Sequence, residues 1–276
     1  VRRSHSSVLA GLVLVSFIAL SALLAPWIAP EPNRIDLDSV LQPPSSTHWL
    51  GTDGLGRDVG ARLVHGARIS LLIGLATAVL SVLIGLPIGA LAGYAGGSVD
   101  AALSRLIEAT LCFPALVVTI ALLSVGPSWL LALPETARIA LALSVIGWTP
   151  AARYLRAEFR RLRESESIAS ARAAGASHAR IVWRHLLPQS LGPILVTMAF
   201  AVGGAALAEA TLSFVGVGIS PPTASWGELL FQALHHVGHA WWLALFPGAA
   251  LFVLLLGCNE LAEGLRMHLD PRRGAA

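Results

Sequence analysis

RYLRAEFRRLRESESIASARAAGASHARIVWRHLLP, residues 153–188, holds eight of the nineteen arginines against three acids, in a chain that is otherwise mostly apolar. Its middle reads as two short helices broken at a glycine. Residues 167–174 are nearly all small or helix-favouring, and Gly175 supplies the left-handed conformation that ends a helix. Ser177 is placed to cap the next one, which carries Ile181, Trp183, Leu186 and Leu187 before Pro188 stops it. Helices this short are marginal alone, since roughly 12–15 residues are needed in water. They must dock against something. Ala169, Ser170, Ala171, Ala173 and Ala174 leave little side chain in the way of a close partner. The stretch reads as a helix–turn–helix knuckle presented to another protein.

The surrounding composition sets the environment of that knuckle. The 276 residues are 55% hydrophobic and 13% charged, with a mean hydropathy of +0.71. A soluble domain carries about 25% charged residues, so the class is a polytopic membrane protein, and apolar runs long enough to cross as helices make it all-α. The basic excess is entirely arginine, with no lysine anywhere. A phosphate-binding Walker loop and Schiff-base catalysis both need a lysine, so nucleotide hydrolysis belongs to a partner. Cys112 and Cys258 fall in apolar runs and read as packing residues.

Six spans follow in order. Arg2 and Arg3 precede an uncharged run, 8–28, long enough to cross a bilayer at about 20 residues. That run exceeds the roughly 7–15 residues of a signal-peptide core, so a retained span is expected. Residues 29–68 make a polar loop ending in a short interfacial helix. Asp53–Arg57 and Asp58–Arg62 are spaced four apart, acid first, which supports a helix, and Trp49 fits a membrane boundary. The second span is 69–92, with Gly85, Gly89 and Gly93 as a close-packing stripe. YAGGSVD is a tight turn. The third span, 106–125, has Arg105 and Glu108 at its inner end, expected to pair, and Pro114 as a kink site. The fourth, 139–152, is short, with Arg138 and Arg153 at its ends to snorkel. Parity requires it: without it the arginine-rich stretch faces outside, against the positive-inside tendency. With it, Arg2, Arg3, Arg105, the eight of the loop, Arg266, Arg272 and Arg273 share the cytoplasmic side. The fifth span, 191–212, puts Glu209 near its outer end, either lining a pathway or hydrogen-bonded to a neighbouring helix. A glycine- and proline-rich external turn and a sixth span, 241–258, complete the set.

ASARAAGASHARIVWRHLLP resembles the cytoplasmic coupling loop of ABC importer permeases, with Gly175, Leu187 and Pro188 where that pattern wants them. One position departs: Ala169 stands where the family usually has glutamate. HWLGTDGLGRD, the run from Glu209 through Ser213, Phe214, Gly216, Gly218, Pro221, Pro222, Ser225, Trp226 and Gly227, and the tail LRMHLDP are similar to the second permease of dipeptide and oligopeptide importers. The resemblance covers about residues 48–272. It implies a type I ABC importer transmembrane fold with six transmembrane helices, in which 1–68 forms the first helix and an extracytoplasmic loop. Residues 69–276 would form the permease domain, with its coupling loop at 158–188. It implies a bacterial inner-membrane subunit, termini cytoplasmic, that pairs with a homologous permease as a heterodimer. Two cytoplasmic ATPases would use ATP and magnesium, and an extracytoplasmic binding protein would deliver di- or oligopeptides, or alternatively nickel or another small solute. The chain itself would bind no cofactor and be no enzyme. The coupling surface would comprise Ala169, Ser170, Ala171, Gly175, Ala176, Ser177, Ile181, Leu187 and Pro188. Glu209, Ser213, Phe214, Gly216 and Gly218 are the pathway or gate candidates.

Other chemistry has weak support. His235 and His239 would share a helical face with metal-ligand spacing, but no cysteine accompanies them and the nearest acid is Glu228, so no metal site is assigned. No nucleic-acid signature appears, and topology explains the basic loop first. A stand-alone secondary transporter would place ionisable groups at mid-membrane, whereas Glu108 and Glu209 fall near helix ends.

Overall fold

Helices account for nearly all the regular structure in the computed structural model, which describes residues 2–29, 31–236 and 238–269. In hydrocarbon every backbone N–H and C=O must bond within its own segment, and helices achieve that. The order is α1 (Arg2–Ile28), α2 (Val59–Ala95), α3 (Gly97–Leu111), α4 (Ala115–Val125), α5 (Ser128–Leu131), α6 (Glu135–Arg163), α7 (Glu166–Ala173), α8 (His178–Ile181), α9 (Leu187–Phe214), α10 (Trp226–Ala233) and α11 (Trp242–Leu269). The helices pack in a relay in which α6 lies on α2, α2 on α9, α9 on α11 and α11 on α1. The fold is that of an all-α membrane protein. The tail arginines Arg272 and Arg273 and the Asp270–Pro271 pair of the C-terminal signature lie outside the described residues.

Four helices are each long and apolar enough to cross a membrane: Ser6–Ile28, Val59–Ala95, His178–Phe214 and Trp242–His268. The pair Gly97–Leu111 and Ala115–Val125 is a fifth candidate, bent by 77°. Where a single third span was expected, the chain breaks ahead of Pro114, which becomes the N-cap of α4. Proline lacks the N–H that would continue α3 and its ring crowds the preceding turn. The expected fourth span lies in α6, 29 residues long. It does not reach the apolarity of the others, because arginines and Glu158 fill its second half. Apolarity alone therefore does not deliver the sixth crossing.

Three local expectations are corrected. No separate interfacial helix precedes the second span; α2 begins at Val59 and runs on as 37 residues, straight through the expected boundary at 68/69. Asp58 does not pair with Arg62. Its carboxylate caps α2 by accepting from Ala61 N at 2.8 Å and contacts His48 Nδ1 at 2.8 Å. Arg105 and Glu108 are both exposed, and no ion pair joins them among the described residues.

Close helix contact carries the packing. A Cβ placed on Gly85 would lie 2.6 Å from the Trp148 carbonyl, and on Gly89 or Gly93 it would run into the backbone of Ala152 or Arg156. All three glycines are buried where α2 meets α6. Gly11 and Gly257 allow α1 to approach α11 in the same way. Backbones this close gain dispersion contact that lipid tails do not provide. Gly89→Leu should therefore lower the unfolding midpoint of the detergent-purified chain, overpacking costing about 1–3 kcal/mol or more. Gly204, whose Cβ direction is open to 4 Å, serves as the control, and Gly204→Ala should stay near the parent. Equal midpoints for Gly89→Leu and the parent would mean the contact is slack.

Candidate functional site

At one end of the bundle, α6 runs into the knuckle. Ile168, Ile181 and Leu186 are buried in one cluster with Leu155, Phe159 and Leu162 of α6. The turn between α7 and α8 is closed by Gly175 N–H donating to Arg172 O at 2.9 Å and Ala176 N–H to Ala171 O at 3.0 Å, with Gly175 at φ +79°. That pair of bonds and the left-handed glycine make a Schellman ending. Ser177 Oγ then accepts from Arg180 N at 3.3 Å to start α8. Ala169, Ser170, Arg172, Ala173, Ala174, Gly175 and Ser177 are exposed, while Ala171 and Ala176 are half-buried. A Cβ on Gly175 would meet nothing within 4 Å, so its surroundings are open and only its backbone conformation restricts substitution. The result is a shallow surface of small side chains on a buried apolar base.

Pro188 does not stop the helix, contrary to the sequence expectation. A π-helical turn at Val182–Leu186 joins α8 to α9, and Pro188 lies in the first turn of α9. The proline has no N–H for the carbonyl four residues back and its ring would crowd it. The wider turn just before it relieves that conflict and lets the helix continue. Leu187 is half-buried and Pro188 exposed.

Between α2, α4, α6 and α9 lies an open groove of about 880 Å³. Its walls are mainly apolar, with hydroxyls from Thr77, Ser81, Thr119, Thr149, Thr197 and Tyr154. The Thr77 hydroxyl is buried and has no partner among the described residues. Ala208 and Thr211 of α9 line this groove, but Glu209 between them does not.

Glu209 instead points into the protein at the far end of α2 and is fully buried. Ser213 and Ser225 each donate to its Oε1 at 2.8 Å, and Ser70 donates to Oε2 at 3.1 Å. Each serine is engaged a second time. Ile219 N donates to Ser213 Oγ at 3.0 Å, Glu228 N to Ser225 Oγ at 3.1 Å, and Trp226 N to Ser70 Oγ at 3.3 Å. One carboxyl thus ties α9, the following turn, the start of α10 and α2 together. Gly218 is buried against Ser213, whereas Phe214 and Gly216, at φ +84°, are exposed beside this cluster.

A second polar cluster lies alongside. Arg57 Nε donates to Asp53 Oδ2 at 2.7 Å, the one expected i,i+4 pair that forms. Arg62 Nη2 donates to Glu228 Oε2 at 2.7 Å and Nη1 to Asn33 Oδ1 at 2.8 Å. Arg57 Nη2 reaches Gln232 Oε1 at 3.1 Å, and the Gln232 amide donates to Glu228. Burial pushes the Glu228 carboxyl up from its ordinary range, opposed first by the charge of Arg62. Breaking a buried pair by removing one partner typically costs about 3–5 kcal/mol. These bonds clamp the loop before α2 onto α10, 166 residues away in sequence for Arg62 and Glu228. Nothing in the local sequence pairs these two. The serine partners of Glu209 were equally hidden, although Ser213 and Ser225 stood in the run matched to the permease signature.

The histidines are not brought together as a ligand pair. α10 ends at Ala233, so His235 and His239 fall in turns and share no helical face; His235 packs edge-on against Phe231 with ring centroids 5.9 Å apart.

Residues 85–274 match the family model described as binding-protein-dependent transport system inner membrane component. Residues 3–44 match the N-terminal TM domain of oligopeptide transport permease C. A putative peptide transport system permease protein of Brucella abortus is 43% identical over 97% of this chain and 88% of its own length. The dipeptide transport system permease protein DppC of Bacillus subtilis is 37% identical over 98% of this chain and 83% of its own. Among solved structures, an inward-facing form of the MetNI methionine ABC transporter aligns with a TM-score of 0.61 at 19% identity, covering 75% of this chain and 96% of that one. That likeness is one of fold.

The geometry around Glu209 separates shape from support. Glu209→Ala leaves three buried serine hydroxyls without their acceptor, at about 1–3 kcal/mol for each group left unsatisfied. It should lower the unfolding midpoint of the purified chain sharply. Glu209→Gln keeps a carbonyl for Ser213 and Ser225 and should lose much less. Equal losses would contradict the cradle.

Proposed function

The chain belongs to the binding-protein-dependent transport system inner membrane component family and is the permease subunit of an ABC importer, and on that premise we propose that it imports di- or oligopeptides. The peptide reading rests on relatives named for peptide, oligopeptide and dipeptide transport at 35–43% identity across almost the whole chain. An importer permease works with ATPase and other subunits. The proposed complex contains a homologous second permease, two cytoplasmic ATPases and an external binding protein. In it α1, α2, the bent pair α3–α4, α6, α9 and α11 cross the inner membrane six times, with both ends and the knuckle on the cytoplasmic side.

The observation that carries the division of labour is the knuckle. Its base is buried on α6, and its tip offers alanines, two serines and a positive-φ glycine to a partner, with Arg172 beside them. A surface of that kind accepts another protein closely while adding almost no side-chain entropy cost of its own. The reading makes it the dock for an ATPase, through Ala169, Ser170, Ala171, Gly175, Ala176 and Ser177, with Ile181 and Leu187 holding it from beneath and Pro188 exposed where α9 begins. The groove facing out from α2, α4, α6 and α9 forms half of the translocation path, the second permease closing it. Its apolar walls with scattered hydroxyls suit a solute that varies in side chain, since few fixed charges select against one. The buried cluster around Glu209 and Glu228 holds the external segments, including the turn from Phe214 to Gly218, as a frame at the outer mouth. This chain hydrolyses nothing and holds no cofactor; ATP and magnesium act in the partners.

Gly175→Val tests the dock. A β-branched residue is strongly disfavoured at φ +79°, and its side chain would stand out beside the small residues Ala173, Ala174 and Ser177. The variant should reach the membrane in normal amounts. ATPase recovered per permease after detergent extraction should fall several-fold, and uptake into vesicles with it. Full recovery of ATPase would remove the knuckle from its proposed role.

A further inference from the structure

The last turn of α2 sits against the knuckle through one side chain. The Tyr94 hydroxyl lies 2.7 Å from His178 Nδ1, His178 being the first residue of α8. The two rings meet edge to face with centroids 5.8 Å apart. Arg172, on α7, places its guanidinium 5.9 Å from the centre of the Tyr94 ring, within cation–π range. Tyr94 therefore touches both arms of the knuckle, one on either side of Gly175. Its own carbonyl accepts from Arg163 Nη1, at the end of α6, at 3.2 Å.

Behind Tyr94 the chain is fixed. Gly96 and Gly97 take φ +69° and +56°, reversing the chain into α3. Arg156 of α6 then grips Asp100 of α3 with both Nε and Nη2, a fork that sets orientation as well as distance. The ends of α2, α3 and α6 thus form one braced base. Beneath, the knuckle rests on this base through apolar contacts around Phe159, Leu162, Ile168 and Ile181. Apolar contacts permit sliding, because they have no direction. Among the described residues, the only side-chain hydrogen bond and the only cation–ring contact between base and knuckle both end on Tyr94.

We propose that Tyr94 is a positioning residue that carries displacement of the knuckle into α2, and through it to the groove and the outer frame. The inference rests on the reading of the knuckle as the ATPase dock. It adds what that reading lacks, the link from dock to path. Mechanically the link is direct. From Tyr94, α2 continues as one helix, with Pro87 inside it, past Ser81 and Thr77 in the groove wall to Ser70, which donates to Glu209 in the outer frame. A push on α7 or α8 that reached only the apolar base would be spent in local sliding. Through the His178 hydrogen bond and the Arg172 contact it has a direction and a lever.

Tyr94→Phe isolates the link, because the ring stays for Arg172 and for packing while only the hydroxyl goes. The complete transporter, with partner permease, ATPases and binding protein, is reconstituted in proteoliposomes with a mixed di- and tripeptide preparation. Three quantities are read: ATPase retained per permease, stimulation of hydrolysis by loaded binding protein, and peptide taken up per ATP. Retention should stay at the parent level, while stimulation and uptake per ATP fall about five-fold, the worth of one net hydrogen bond. Adding His178→Ala to Tyr94→Phe should cost stimulation no further than His178→Ala alone does, because both remove the same bond. Unchanged stimulation in Tyr94→Phe would overturn the proposal, as would strictly additive losses. Loss of ATPase retention as severe as in Gly175→Val would also overturn it, by making Tyr94 a support of the knuckle's shape. Gly175→Val in the same series separates the two readings. Full retention in that variant sinks the dock itself, whereas lost retention there beside an unaffected Tyr94→Phe sinks only the relay.

Discussion

The contact between α2 and α6 at Gly85, Gly89 and Gly93 is the constraint on which the rest of the bundle depends. Lipid gives no hydrophobic drive for helices to associate, so pairing must come from close packing. Three missing side chains let the α2 backbone lie against Trp148, Ala152 and Arg156. That contact explains how α6 holds its place despite its low apolarity. It presents buried Ile139, Ala140, Ala142, Trp148, Ala151 and Ala152 to its neighbours, so protein covers much of what lipid would otherwise have to favour. Its charged second half then extends beyond the contact as the stem of the knuckle, its last turn carrying Arg160, Arg161 and Arg163. A glycine stripe on one helix thus decides where the basic stretch of another is displayed.

The opposite end of α2 is organised by polar satisfaction. A buried carboxyl is costly unless hydrogen-bonded, and Glu209 accepts from three serines drawn from three segments. Each of those serines in turn receives a backbone N–H. The cluster is closed, so removing any member strands the others. Arg62 and Glu228 extend the same logic to a charged pair with Asn33 and Gln232 around it. Such a network contributes less net stability than its bond count suggests, since two charges were taken from water to make it. Its effect is to fix one arrangement of loops that have few apolar contacts of their own.

Much of this was legible in the sequence where the signal is local. Gly175 was read as a left-handed helix end because a glycine followed by a capping serine leaves few alternatives, and it sits at φ +79°. Composition points to a membrane protein, and the long apolar runs mark α1, α2, α9 and α11 as helices. The misreadings share a cause, which is that local rules were applied where distant partners decide. Asp58 and Arg62 have ideal spacing for each other, yet Arg62 pairs with Glu228 across 166 residues. Pro188 looks like a stop, but a π-helical turn upstream absorbs it. The kink expected at Pro114 is there, but at 77° between α3 and α4 it breaks the span where one bent helix was expected. Tyr94 carries no local signal, because a tyrosine before a glycine turn is ordinary until Arg172 and His178 are placed beside it.

α2 joins these two ends. Its 37 residues make a continuous rod of roughly 56 Å at helical rise, longer than the hydrocarbon layer of about 30 Å. The surplus length lies at the ends, where it can touch structures outside the apolar layer. At one end Tyr94 meets the knuckle, and at the other Arg62 and Ser70 meet the frame built on Glu228 and Glu209. A rod held rigidly at both ends would transmit nothing, because the bundle would resist as a whole. The two attachments differ in kind, however. The attachment at Glu209, Ser70, Arg62 and Glu228 is a largely buried network of directional hydrogen bonds. The inner one is an exposed hydrogen bond and a cation–ring contact over an apolar base, which can shift by small steps without stranding a buried group. If the knuckle is the dock proposed above, that asymmetry puts the exposed joint where force would enter and the buried one at the far end of the proposed path.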